Sequence, residues 1–335
     1  MFYASRKVIA NSDRGAPLGT AKHWKRSLAL LSCFTVTAFL FGGLTSHYKI
    51  FPWPVISRVK ETVFPKAPPA SRYTFDSLGR LMADESKTQV KCPAQTRRTA
   101  VLLVLGQSNA ANYAGQRFRS RYGGDIVNFL NGDCFIAQSP LLGSSGTKGE
   151  YWTQLANLLK DSNQVDQVVL APLAFSGTPV SRWARGGDMN VLLVDVLTQL
   201  KSSGYKVTRV LWDQGEADYV EGTSEEVYRQ QLTSMIDTLR QHGVDANVFV
   251  SIASKCLEPS NGAFKTFSPD NAIVRAQRQM QDDRDDVRRG VNTDTLVDDL
   301  DRYDDCHLGD TGANKVAQAW AKLLLSDPSV QAGNR

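Results

Sequence analysis

Thr99-Ala100-Val101-Leu102-Leu103-Val104-Leu105 runs directly into Gly106-Gln107-Ser108-Asn109. The first seven residues are almost continuously apolar, which is typical of a strand buried on both faces of a parallel sheet. The glycine that follows marks a turn, so the sequence predicts that Ser108 lies at a strand-to-loop junction with its hydroxyl held rigidly. A serine in such a position is a candidate nucleophile.

Outward from this strand, apolar runs alternate with segments of helical periodicity. The sequence predicts further strands at 167–171, 208–212 and 247–252, and helices at 151–160, 191–201, 225–242, 271–281 and 311–325. Alternation of this kind predicts an α/β domain in which helices cover both faces of a parallel sheet. We place this domain at residues 95–330.

Composition excludes some classes of function. The chain has 335 residues, of which 42% are hydrophobic and 22% charged, so a packed core is expected. Residues 1–26 carry six basic residues and one acidic residue, and the remaining residues carry 33 of each. The main body therefore has no overall attraction for nucleic acid, and we predict no nucleic-acid partner. The oligomeric state is not predicted.

The N-terminal region indicates a membrane anchor. Residues 27–48 contain no Lys, Arg, Asp or Glu and match the ~20 residues that a helix needs to cross a bilayer. The basic cluster before them predicts that residues 1–26 are cytoplasmic and that the chain after the anchor is extracytoplasmic. We favour a periplasmic domain on a bacterial inner membrane, and a Golgi-type orientation in a eukaryote is the alternative with the same polarity. Residues 49–94 are interpreted as a proline-rich spacer and lead-in. A cleaved signal peptide and a buried core helix are the alternatives to the anchor.

Cysteine usage agrees with export. Apart from Cys33 in the predicted anchor, the chain has four cysteines, an even number that suggests two disulfides in an oxidising compartment. Of the three connectivities, we expect Cys92–Cys134 and Cys256–Cys306. Four unpaired, buried cysteines are the alternative. No motif supports a metal site, and no cofactor is predicted.

A serine nucleophile needs a base, and the base needs a group that orients it. Of the four histidines, His23 and His47 belong to the predicted anchor region and His242 ends a predicted helix, which leaves His307. Asp304 stands three residues before His307, close enough for a turn to bring its carboxylate to the imidazole, and Asp305 is the rival partner. Ser108, His307 and an aspartate are the parts of a nucleophilic acyl-transfer site.

Two further segments follow predicted strands, where ligand crevices form in parallel sheets. They are residues 175–183 (FSGTPVSRW) and residues 211–218 (LWDQGEAD). With GQSN at 106–109 and D-x-x-H at 304–307, the ordered set resembles the SGNH/GDSL hydrolase superfamily, and within it the sialate O-acetylesterase-like carbohydrate esterases. The resemblance covers roughly residues 95–327.

This resemblance implies a flavodoxin-like, three-layer α/β/α domain with strand order 2-1-3-4-5. It implies that Ser108 is the nucleophile, His307 the base and Asp304 its orienting residue. It also implies an oxyanion hole formed by the backbone N–H groups of Ser108 and Gly177 and by the side chain of Gln214. Ser176 departs from the double glycine of the family. For Gln214, the alternative is a buried amide that braces the loop.

Three more side chains are candidates for substrate binding: Asn109, Trp183 and Glu216. Trp183 has the alternative of a core residue, and Glu216 that of structural support. The leading hypothesis is a membrane-tethered serine O-acetylesterase that removes acetyl groups from an extracytoplasmic glycan or polysaccharide. The alternatives are an O-acetyltransferase with the same triad and a non-catalytic glycan-binding scaffold protein.

Overall fold

The computed structural model describes residues 72–256, 259–260, 263–264 and 267–327. Within them, the strands are β1 (Tyr73–Phe75), β2 (Leu81–Asp84), β3 (Gln89–Val90), β4 (Thr99–Gly106), β5 (Ile126–Leu130), β6 (Asp133–Ile136), β7 (Gln167–Ala174), β8 (Arg209–Asp213), β9 (Val248–Ile252), β10 (Pro259–Ser260), β11 (Ala263–Phe264) and β12 (Val287–Asn292). The α-helices are α1 (Trp152–Asp161), α2 (Asp188–Ser202), α3 (Glu216–Glu221), α4 (Glu225–Gln241), α5 (Ala272–Asp283), α6 (Thr293–Leu296) and α7 (Asp310–Ser326).

β4, the strand that precedes Ser108, lies in the middle of the eight-stranded sheet. β4 is buried along its whole length and pairs in parallel with β7 on one side and β8 on the other. Its side chains alternate between two hydrophobic clusters: Val101 and Leu103 pack with helices α2, α4 and α5, whereas Leu102 and Val104 pack with α1 and α7. The sheet is therefore the middle of three layers.

The sheet has eight strands in the order β12-β9-β8-β4-β7-β5-β6-β3. Strands β12 to β5 in this order are parallel to their neighbours, and β6 and β3 continue the sheet as antiparallel strands. The α/β fold with a mostly parallel sheet is thus confirmed. The five strands β7, β4, β8, β9 and β12, numbered along the chain among themselves, have the order 2-1-3-4-5. β5, β6 and β3 extend the sheet beyond β7.

Residues 72–94 differ from the sequence interpretation, which assigned them to the lead-in. β1 pairs with β2, and β3 pairs with β6 of the central sheet. A disulfide between Cys92 and Cys134 fixes the end of this segment to β6. Strands of two to four residues are too short to show a hydrophobic period, so the sequence pattern did not reveal them.

The predicted cytoplasmic segment 1–26, the predicted anchor 27–48 and the spacer up to residue 71 lie outside the described residues. Among the described residues, none of the helices has the length and apolar character required to cross a bilayer.

Candidate active site

The nucleophile turn is formed by a close approach of two backbones. Gly106 ends β4 with φ +146°, a conformation that residues with a side chain rarely adopt. A Cβ at this position would lie 2.0 Å from the carbonyl oxygen of Asp213 at the end of β8. The same oxygen accepts a hydrogen bond from the Gln107 N–H at 3.2 Å. Gly106 therefore lets the chain turn so that Ser108 begins the loop directly above the sheet.

We predict that Gly106→Ala lowers the free energy of unfolding by at least about 3 kcal/mol, because backbone strain and overpacking combine. Gly204→Ala is the matched control: Gly204 also has a positive φ of +79°, but nothing lies within 4 Å of its added Cβ. It should cost only roughly 1–2 kcal/mol. Denaturant unfolding of both variants measures the difference, and equal losses would contradict the close-approach argument.

Ser108 lines a cleft of about 230 Å³ at the carboxyl end of the parallel strands. The cleft is lined by the loops after β4, β7 and β9, by helix α3 and by the loop before α7. The lining residues that matter here are Ser108, Ser176, Gly177, Glu216, Cys306 and His307. The structure thus brings the predicted nucleophile and base, which are about two hundred positions apart in sequence, to one cavity.

The imidazole of His307 is oriented by Asp304. Its Nδ1 lies 2.8 Å from Asp304 Oδ2 and 3.0 Å from Oδ1, and the His307 backbone N–H donates to Oδ1 at 2.7 Å. A carboxylate in this position accepts a hydrogen bond from Nδ1–H and leaves Nε2 as the basic nitrogen. No hydrogen bond joins Ser108 and His307, both of which the structure describes; such catalytic bonds often tighten only in the substrate complex.

Two tyrosines that the sequence did not point to lie beside His307, the candidate base. The rings of Tyr113 and Tyr303 are nearly parallel to the His307 ring, with centroid distances of 5.5 and 5.9 Å. The Tyr303 hydroxyl donates to the Tyr113 carbonyl oxygen at 2.8 Å, which ties the two together. Tyr303 immediately precedes Asp304, and that adjacency was the only sequence signal for its role.

Gly177 reaches the cleft in a left-handed conformation with φ +65°, and an added Cβ would meet nothing within 4 Å. Ser176, which departs from the double glycine of the family, also lines the cleft and is exposed. Its backbone N–H donates to Ser145 Oγ at 2.9 Å, so this N–H is not directed at the cleft. Of these two neighbours, Gly177 is the candidate donor to an oxyanion.

The oxyanion role predicted for the Gln214 side chain does not agree with its position. Gln214 is fully buried and is not part of the cleft lining. Its Nε2 donates to the Thr178 carbonyl oxygen at 3.0 Å and to Asp218 Oδ2 at 2.5 Å, which uses both of its protons. Its Oε1 accepts from the Tyr228 hydroxyl at 3.0 Å. The alternative interpretation, a buried amide that braces the loop, fits these contacts.

The predicted role of Trp183 as a substrate contact does not agree with its position either. Its side chain is fully buried, and its ring packs edge-on against Trp212 with centroids 5.4 Å apart. The indole N–H donates to Thr178 Oγ1 at 3.2 Å, so its polar group is satisfied inside the protein. Trp183 is a core residue, because no face of its ring is open to a sugar.

Asn109 and Glu216, the other two predicted substrate contacts, are buried and bonded to each other: Asn109 Nδ2 donates to Glu216 Oε1 at 2.7 Å. The other oxygen of Glu216 has no hydrogen-bond partner among the described residues. Burial, and then the charge of Asp213, raises the pKa of Glu216 to about 8. The pKa of Asp213 is raised as well, by burial. A buried acid pair of this kind disfavours two charges at once.

The raised pKa of Glu216 makes stability depend on pH. Between the ordinary pKa of a glutamate and about 8, Glu216 is ionised in the unfolded chain but protonated in the folded protein, so its contribution to stability falls as the pH rises. Glu216→Gln removes this titrating group. We therefore predict that the free energy of unfolding of the variant, relative to that of the wild type, increases by up to about 1.4 kcal/mol per pH unit between pH 5 and 8.

Denaturant unfolding of the wild type and Glu216→Gln across this pH range measures the effect. Glu226→Gln, at an exposed position of α4, is the control and should leave the pH dependence unchanged. A constant difference between Glu216→Gln and the wild type would show that Glu216 titrates normally.

Both expected disulfides are present. Cys256–Cys306 borders the cleft next to His307, and Cys92–Cys134 lies at the far edge of the sheet. Their sequence separations of 50 and 42 residues are similar. Loop-closure entropy then gives each a stabilisation of about 4 kcal/mol.

We predict that replacing either cysteine pair with serines lowers the free energy of unfolding by a similar amount, whereas only Cys256→Ser/Cys306→Ser lowers kcat. The reason is that Cys306 is covalently tied next to the base. Unfolding and initial rates, measured side by side below both melting temperatures, test this. Equal kcat losses in both variants would contradict a specific role of Cys256–Cys306.

The chain was compared with known proteins. A family model described as "Carbohydrate esterase, sialic acid-specific acetylesterase" matches residues 98–326. Comparison with curated proteins gives no match. A solved structure of a protein from Arabidopsis thaliana is 18% identical, covers 69% of this chain and 98% of its own, and has a TM-score of 0.54, which supports the fold.

Two further solved structures are NanS, at 15% identity, and a carbohydrate acetylesterase from Xanthomonas citri, at 17%. The first covers 68% of this chain and 97% of its own with a TM-score of 0.47. The second covers 66% and 55% with a TM-score of 0.44. Because the family model spans well over half of the chain, the resemblance noted from the motifs is confirmed: this protein belongs to the carbohydrate esterase family of sialic acid-specific acetylesterases.

Proposed function

We propose that this serine carbohydrate esterase removes acetyl groups from an extracytoplasmic carbohydrate through an acyl-enzyme on Ser108. The observation that carries the proposal is the 2.8 Å contact between His307 Nδ1 and Asp304 Oδ2 at the rim of the cleft that Ser108 lines. Family membership supplies the class of reaction, which is hydrolysis of acetyl esters on carbohydrates. The triad and the covalent intermediate are our assignment.

In the proposed first step, Ser108 Oγ attacks the acetyl carbonyl carbon while His307 Nε2 takes the hydroxyl proton. The C–O bond to the sugar then breaks, and the imidazolium returns this proton to the leaving sugar oxygen. In the second step, His307 accepts a proton from water, whose oxygen attacks the acyl carbon; the bond between the acyl carbon and Ser108 Oγ then breaks, and the imidazolium returns the proton to Oγ as acetate leaves. Asp304 stays ionised and stabilises the imidazolium in both steps.

Each step passes through a tetrahedral oxyanion that needs hydrogen-bond donors. We assign this role to the backbone N–H groups of Ser108 and Gly177, because both residues line the cleft. One such donor is typically worth about 3–4 kcal/mol of the barrier. Gln214 is left out of the assignment because its amide protons are used within the protein.

The extracytoplasmic location is a proposal as well. It is supported by the basic segment before the uncharged residues 27–48 and by two disulfides, which persist in oxidising compartments. A fusion of alkaline phosphatase or green fluorescent protein to the C-terminus tests it. Phosphatase activity without fluorescence is expected, and the reverse pattern would place the domain in the cytoplasm.

The activity is tested by incubating the full chain with acetylated glycans and with p-nitrophenyl acetate. Free acetate is expected from both. Adding an unacetylated glycan acceptor separates hydrolysis from transfer, because a transferase would produce acetylated acceptor in place of acetate. Glycan binding without turnover of any ester would favour a non-catalytic scaffold protein.

A further inference from the structure

We propose that Asn109 and Glu216 form a buried clamp that positions His307 relative to Ser108. This inference rests on the proposed function of Ser108 and His307. It assigns both residues to positioning and not to contact with substrate. We call the pair the base clamp.

The base clamp holds the backbone on both sides of His307. Asn109 Nδ2 donates to the carbonyl oxygen of Cys306 at 3.3 Å, and Asn109 Oδ1 accepts from the N–H of Leu308 at 3.2 Å. Asn109 is covalently next to Ser108. A single side chain therefore sets the distance between the nucleophile turn and the loop that carries the base.

Glu216 orients the amide of Asn109. Its Oε1 accepts from Asn109 Nδ2 at 2.7 Å, and Glu216 is the first residue of α3, directly behind the end of β8. A buried amide with a strong acceptor on its NH₂ group cannot flip without losing that bond and both backbone bonds. The interaction requires only an acceptor oxygen, which a neutral carboxyl group or an amide also supplies.

The other neighbour of Ser108 acts in parallel. Gln107 Oε1 accepts from the backbone N–H of Ala217 at 3.0 Å and from that of Gly215 at 3.4 Å. The two side chains that flank Ser108 thus bond to the start of α3 and to the base loop. A displacement of about 1 Å between reacting groups can cost 10²-fold in rate, so fixing the start of α3 and the loop that carries His307 to one turn has a direct kinetic consequence.

The base clamp is tested with Asn109→Ala, for which we expect kcat to fall by about 10²-fold and KM to change by less than about threefold. The matched control is Asn157→Ala. Asn157 is equally buried and holds one loop in the same manner, through the Arg121 N–H at 2.9 Å and the Arg119 carbonyl oxygen at 3.1 Å, but it lies on α1. This control should lose stability without losing kcat.

The role of Glu216 is tested by reversing the polarity of the pair. Asn109→Asp places a carboxylate against the carboxyl group of Glu216 and removes the donor to the Cys306 carbonyl oxygen, so above pH 8, where Glu216 loses its own proton, kcat should fall at least as far as in Asn109→Ala. Adding Glu216→Gln supplies an N–H donor that does not titrate, and we expect kcat at the same pH to recover by about tenfold over Asn109→Asp alone. In the single variants, Glu216→Gln should retain more activity than Glu216→Ala.

Hydrogen exchange at the Leu308 amide reports the base clamp without catalysis, and Asn109→Ala should remove its protection. If the wild type releases no acetate, the proposed function fails while this readout still decides whether the base clamp exists. A raised KM with unchanged kcat in Asn109→Ala would assign Asn109 to substrate binding and overturn the proposal. Equal kcat losses in Asn157→Ala, or no recovery in the double variant, would also overturn it.

Discussion

Replacing Ser108 with alanine is expected to abolish acetyl-ester hydrolysis, with kcat reduced by about 10⁴-fold or more. The hydroxyl is the only group of Ser108 that forms the covalent intermediate, and alanine leaves the backbone N–H in place. Ser108 is buried in a turn that Gly106 and Gln107 fix, so the methyl group fits without rearrangement. Residual activity should therefore reflect only binding and the oxyanion hole.

Ser176→Ala is the matched control, because Ser176 is a second serine in the same cleft and its hydroxyl is exposed. We expect it to retain at least about a tenth of the activity, since its identified contact is a backbone one. A phosphonate probe should add its mass to the wild type and to Ser176→Ala, and not to Ser108→Ala. Full activity in Ser108→Ala, or loss of labelling in Ser176→Ala alone, would contradict Ser108 as nucleophile.

The parts of the fold that sequence patterns predicted are those where burial is continuous. β4, β7, β8 and β9 are buried on both faces and were all predicted from their apolar runs. β12 was missed because Arg288 and Arg289 are exposed in the middle of this edge strand and interrupt the pattern.

β5 was missed for a different reason. Asn128 interrupts an otherwise apolar run, yet it is fully buried. Its side chain donates to the Leu142 carbonyl oxygen at 3.0 Å and accepts from the Leu142 N–H at 2.7 Å. A polar residue satisfied by a distant loop cannot be distinguished from a surface residue by periodicity, because its partner is fourteen positions away and outside the strand.

The site shows the same division. Ser108, His307 and Asp304 could be named as candidates because nucleophilic acyl transfer requires particular residue types, and the structure places Ser108 and His307 in one cleft. A motif names a residue without stating which way its side chain points, so the orientations of four other side chains could not be predicted. They are Gln214, Trp183, Asn109 and Glu216. In the structure these four side chains are buried and bonded within the protein, and the residues beside His307 are Tyr113 and Tyr303.

If Asp304, and not Asp305, orients His307, removing its carboxylate should cause a second large loss of kcat. Asp304→Asn should lower kcat by about 10²- to 10⁴-fold. An amide nitrogen facing Nδ1 donates a hydrogen bond to it and so favours the His307 tautomer that is protonated on Nε2. In this tautomer Nε2 cannot accept the proton of Ser108. The Asp304 side chain is 43% exposed, so water can partly replace its carboxylate, which is why the range extends to the lower value. His307→Ala removes the base itself and should lose at least as much activity.

Asp305→Asn is the matched control for Asp304→Asn. Asp305 has φ +51°, a left-handed conformation that asparagine adopts readily, so this variant keeps the turn that carries the base while removing one carboxylate. We expect its kcat to stay within about threefold of the wild type, since the imidazole bonds to Asp304. Initial rates of both variants on one acetate ester decide the assignment. A larger loss of kcat in Asp305→Asn than in Asp304→Asn would mean that the loop rearranges in the working enzyme and that Asp305 orients His307.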